Sequence, residues 1–88
     1  MTEYEVYWKD IPLGVLQIKD GMHRFLPVLE AVQALQDKVP LPHEIARGYP
    51  WGKPIPFFEE RIENAARFGE KAYIRSHTDA FIMRMITG

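Results

Sequence analysis

The chain contains no cysteine, and that absence removes a disulfide framework, a thiolate zinc site and a cysteine nucleophile together. It has a single serine, Ser76, with His77 and Asp79 close by in sequence. Members of a catalytic triad converge from separate elements, so helix capping by Ser76 or Thr78 is the better reading of that stretch. No apolar run approaches the ~20 residues of a membrane-spanning helix. The opening Met1-Thr2-Glu3-Tyr4-Glu5 lacks the basic-then-apolar character of a secretory leader. A soluble cytoplasmic protein is therefore expected. Charge of one sign is also missing: the net charge is −1, which gives no general attraction to a polyanion.

What the chain does have is apolar and aromatic content, 47% and 12% of its 88 residues. That suffices for one core without covalent staples, and the length allows one domain, residues 1–88. Charge is mildly uneven. Residues 1–37 carry three basic and six acidic side chains, and residues 38–88 carry eight basic and six acidic. Arg61, Arg67, Lys71, Arg75 and Arg84 are interleaved with Glu59, Glu60, Glu63 and Glu70. Mixed signs at helical spacing, such as Glu63 and Arg67, describe a solvated face more readily than a nucleic-acid surface.

Alternation in Tyr4, Val6 and Trp8 predicts a half-buried strand. Lys9-Asp10-Ile11-Pro12 interrupts it. A second strand follows over 13–19, with Leu16 and Ile18 on one face and Leu13 and Val15 on the other. Asp20-Gly21 is a hairpin signal, and 22–26 completes a three-stranded meander. Pro27 suits the first turn of a helix reaching about Asp37, with Val28, Ala31, Val32 and Leu35 inward. Five of the seven prolines fall in 39–56. There, 41–48 accommodates a short helical turn closed by Gly48. The stretch from Gly48 to Pro54 reads as irregular but too aromatic for a linker. The clearest helix runs from Phe57 to Phe68, with Phe58, Ile62, Ala65 and Ala66 inward and Gly69 as its stop. Residues 72–75 resemble a short strand. Phe81, Ile82, Met85 and Ile86 fit either the inner face of a last helix or a strand apolar on both sides.

No catalytic or metal-binding constellation emerges. His43-Glu44 begins like a zinc-protease helix, but Arg47 stands where the second histidine is required. Gly48 to Lys53 has the wrong spacing for a phosphate loop, and Pro54 occupies the position of its hydroxyl residue. Glu59 and Glu63 share a helix face without a motif to complete a site. No metal or cofactor is expected, and the protein is read as not an enzyme. The aromatic loop is the strongest candidate feature. Tyr49, Trp51 and Lys53 are set among prolines and glycines that pre-order the chain, and tyrosine and tryptophan are favoured as binding anchors. The competing reading is that Trp51 folds back to plug the core.

One family resemblance accompanies these readings. Residues 6–16, Val-Tyr-Trp-Lys-Asp-Ile-Pro-Leu-Gly-Val-Leu, followed by Asp20-Gly21 and Phe25, resemble the opening of the N-terminal subdomain of HipA-type kinase toxins. Val39-Pro40-Leu41-Pro42 and Pro56-Phe57-Phe58 with the following Glu59 to Asn64 are similar to that subdomain's Leu-Pro-Leu segment and Phe-Phe helix. The likeness covers roughly residues 4–65 and includes none of the kinase's catalytic residues. It implies a stand-alone small protein that binds and neutralises a HipA-like kinase, with Tyr49, Trp51 and Lys53 as contacts.

The sequence thus points to an α+β domain, an antiparallel meander of three to four strands packed on one face by two or three helices. Its expected role is that of a non-enzymatic protein-interaction module, in finer form an antitoxin-like regulator. The alternatives are a small nucleic-acid-binding regulator using the basic C-terminal half, and a homodimer of another role. No membrane partner is expected.

Overall fold

The structure is a computed structural model and describes residues 1–68 and 80–88. The elements in chain order are β1 (Thr2–Trp8), β2 (Ile11–Lys19), β3 (Met22–Pro27), α1 (Leu29–Gln36), α2 (His43–Arg47), β4 (Tyr49–Gly52), α3 (Pro56–Phe68) and β5 (Phe81–Thr87). The strands form one antiparallel sheet in the order β4-β3-β2-β1-β5. The fold is α+β as expected, with five strands in place of three or four.

The meander follows its turn chemistry. Asp20 and Gly21, at φ 52° and 73°, make the two-residue turn closed by the Lys19–Met22 pair, a geometry that suits Asp-Gly. Lys9 and Asp10 form the other turn, closed by Trp8 and Ile11. Pro12 does not end the pairing as expected but lies inside β2, opposite Tyr7. It is tolerated because the ladder is already irregular there: Val6 faces Gly14 while Tyr7 faces Pro12, leaving Leu13 as an extra residue. This bulge corrects the alternation read from the sequence. It turns Leu13 to the same side as Leu16, and both are fully buried. The Leu13 carbonyl accepts the Val28 N–H at 2.7 Å, tying the bulge to the exit of β3.

Pro27 and the aromatic loop also behave differently from expectation. Pro27 ends β3 rather than starting a helix, lying beyond the last β3–β4 pair where a missing N–H breaks no bond. Val28 becomes the residue preceding α1 and is exposed; Val32 and Leu35 carry the buried stripe. The aromatic stretch is not irregular: Tyr49–Gly52 is the edge strand β4, pairing with β3. Pro50 fits because an edge strand needs only one side of its backbone for pairing.

The core joins Tyr4, Val6, Leu13, Leu16 and Phe25 of the meander to Val32 and Leu35 of α1, Ile45 of α2, Phe58 of α3, and Phe81 and Met83 of β5. Ring contacts run from Trp8 to Phe81, from Phe81 to Phe57, from Phe57 to Phe58 and from Phe58 to Phe25, with centroids 5.1–5.4 Å apart. They link β1, β5, α3 and β3 in one chain. Fully burying a phenylalanine such as Phe25 or Phe58 contributes about 1.5–3 kcal/mol. In α3, Ile62 is half-buried and Ala66 is exposed, so the inward stripe is shorter than its periodicity suggested. Residues 81–87 resolve the helix-or-strand ambiguity as strand β5, paired with β1 along its length. The expected inward side chain of Ala65, stop at Gly69, strand at 72–75 and cap at Ser76 or Thr78 lie outside the described residues. Among the described residues no helix is long and apolar enough to cross a membrane.

Candidate protein-interaction face

Because α1, α2 and α3 all contribute to the one core cluster, side chains of the opposite pleat face away from the helices. Across that face the registers align Glu3 of β1 with Gln17 of β2, and Gln17 with Arg24 of β3. The β3–β4 pairing shifts between His23–Gly52 and Phe25–Tyr49. The extra residue on β4 brings Trp51 beside Arg24.

These four side chains are bonded in sequence. Gln17 Nε2 donates to Glu3 Oε2 at 2.8 Å, and its Oε1 accepts from Arg24 Nε at 2.8 Å and from Arg24 Nη2 at 2.5 Å. The amide orientation follows from charge, since its oxygen can serve only the guanidinium and its nitrogen only the carboxylate. Arg24 then lies with Cζ 4.7 Å from the Trp51 ring centroid, a cation–π contact of about 0.5–2 kcal/mol between two half-buried side chains. Gln17 is only 9% exposed, so the guanidinium is held from a rigid base. Leu26 and Met22, exposed on the same pleat of β3, add apolar surface. On β1, Tyr7 donates to Glu5 at 2.9 Å, and that bond raises the phenol's pKa.

The structure separates the three residues nominated from the sequence. Tyr49 packs against the core cluster, opposite Phe25, and its hydroxyl donates to the Lys53 carbonyl at 3.2 Å. It shapes the end of the strand. Trp51 is half-buried and lies outside the core cluster, so it does not plug the core. Lys53 is exposed. The sequence reading missed Glu3, Gln17 and Arg24. Their alternation with core residues marked them as outward-facing, but their union with Trp51 depends on β4 being a strand.

On the helix side, His23 is 4% exposed and its Nδ1 accepts the Ile55 N–H at 3.0 Å. Burial lowers its pKa, opposed in part by Glu59. It borders a groove of about 340 Å³ with Ile18, Pro54, Glu59, Ile62 and Glu63. Among the described residues no three histidine, cysteine, aspartate or glutamate side chains are grouped to hold a metal. The arrangement that stands out chemically is the ordered carboxylate–amide–guanidinium–indole row. No protein-family model matches the chain, and no curated protein or solved structure shows a significant similarity to it.

Proposed function

We propose that this protein is a non-enzymatic protein-interaction module that engages a partner protein through the face of its sheet opposite the described helices, centred on Trp51. The observation that carries the reading is an indole outside the core, stacked on an arginine whose position is itself fixed by Gln17 and Glu3. Tryptophan and arginine dominate binding hot spots, and an anchor ordered beforehand loses little entropy on association. Lys53 at the end of β4 supplies a peripheral contact. The finer form, an antitoxin-like regulator of a HipA-like kinase in the cytoplasm, draws on the resemblance over residues 4–65.

The test is affinity capture from native lysate with wild-type and Trp51→Ala protein, with the melting temperature measured in parallel. Wild type captures a stoichiometric partner, a kinase under the finer reading, and the variant loses it while melting within a few degrees of wild type. Capture that survives the substitution removes Trp51 from the interface. Unfolding of the variant makes it a structural residue.

Homodimerisation is a second reading, favoured by the edge position of β5 among the described strands and by Met85 and Ile86, 53% and 47% exposed. Light scattering distinguishes it. The nucleic-acid reading gains less support. Arg61 is engaged on the Phe57 ring, with Cζ 3.5 Å from the centroid, and donates to the Phe57 carbonyl.

A further inference from the structure

A second groove, of about 430 Å³, lies on the helix side between the β1–β2 turn and α1. Its volume is within the ~300–1,000 Å³ typical of ligand sites. Trp8, Ile11, Ala34 and Leu35 give it apolar walls, and among the described residues Lys9 and Lys38 are the only charged ones lining it. Ile11 is 39% exposed and Leu35 is buried, so the groove runs from solvent down to the core. Both lysines spring from backbone that is pinned. The Lys9 N–H donates to the Ala80 carbonyl at 2.8 Å, and the Lys38 N–H to the Leu35 carbonyl at 2.9 Å. Lys9 carries its ammonium 5.9 Å from the Trp8 ring centroid. Asp10 and Asp37, their sequence neighbours, are not part of the lining.

We propose that this groove docks an acidic, hydrophobic peptide segment of a partner protein, an apolar side chain seated on Trp8 and Ile11 with flanking carboxylates meeting Lys9 and Lys38. Charge complementarity decides the occupant. Two ammonium groups with no carboxylate among the described lining residues favour an anion, and the apolar walls favour a carbon side chain between the anionic groups. Nothing in this inference depends on the Trp51 face, which is on the other side of the sheet.

The probe is a short fluorescein-labelled peptide with a Leu-Phe centre flanked by glutamates, beside its twin with glutamine at each acidic position, read by fluorescence anisotropy. The glutamate peptide binds about tenfold more tightly than its twin at low ionic strength, and the gap closes as salt screens the pairs. The double variant Lys9→Glu with Lys38→Glu loses the discrimination. Ala34→Glu, at an exposed helical position, weakens glutamate-peptide binding by a similar factor. Lys19→Glu, at the far end of β2, binds as wild type does. Circular dichroism checks that each variant is folded. Equal binding of the two peptides, binding of neither, or discrimination that persists in the folded double variant would each overturn the proposal.

Discussion

Replacing Gly14 with alanine asks how much of this fold depends on one missing methyl group. A Cβ at Gly14 would collide with the Leu26 carbonyl oxygen, and it would sit 2.6 Å from Phe25 Cζ and 2.9 Å from Pro27 Cα. Two of those three atoms are backbone of the paired strand, so the clash cannot be relieved by a side-chain rotation. The residue also adopts φ 155°, which side-chain-bearing residues rarely take up. Overpacking costs about 1–3 kcal/mol and an unfavourable backbone conformation about 1–3 kcal/mol, so the substitution should cost about 2–6 kcal/mol together. An 88-residue domain has a total stability on the order of 4–13 kcal/mol. At about 4–8 °C per kcal/mol for this size, the melting temperature should fall by on the order of 10–50 °C. Gly21→Ala is the control. Gly21 has φ 73°, but a methyl group added there would meet no described atom within 4 Å, so the substitution costs only about 1–2 kcal/mol of backbone strain. Thermal and urea denaturation followed by circular dichroism compare the two. A Gly14→Ala variant that melts no lower than Gly21→Ala would refute the steric argument and, with it, the close β2–β3 contact beside the bulge.

Gln17→Ala removes the relay between Glu3 and Arg24 and should cost about 1 kcal/mol in stability. It should also release Arg24 from Trp51, seen as a shift of the indole N–H resonance; an unmoved resonance would show that the stack does not need Gln17. For His23, burial depresses the folded-state pKa, and the bond from the Ile55 N–H requires an unprotonated Nδ1. On acidification the unfolded chain takes up a proton near its ordinary pKa of about 6.5 while the folded protein resists. This contribution is therefore constant above that pH and becomes increasingly unfavourable as pH falls from about 6.5 towards the lowered folded value. Urea midpoints between about pH 7.5 and pH 5.5 should fall in wild type with a steeper slope than in His23→Gln, and equal slopes would remove His23 as the cause.

Much of the meander was readable because its signals are local. Alternation placed Tyr4 and Val6 in the core, and Asp20-Gly21 specified its own turn. Periodicity placed α3 to within a residue at its start, since Pro56 is the first helical residue. The candidate site was half readable. Trp51 stood out by residue type, but Tyr49 beside it looked equivalent and belongs with the core instead.

From its own residues, then, the chain specifies an α+β composition, a cysteine-free core and the hairpins of the meander, because each depends on side chains a few positions apart. Tertiary structure alone decided the rest. The bulge that buries Leu13 arises from pairing with β1, and β4 is a strand because β3 offers it an edge that Pro50 can tolerate. β5 is likewise a strand because β1 has a free side, although its apolar residues suit a helix as well. Trp51 meets Arg24 for the same reason. A strand becomes one when a neighbour supplies the other half of its hydrogen bonds, and no local pattern carries the identity of that neighbour.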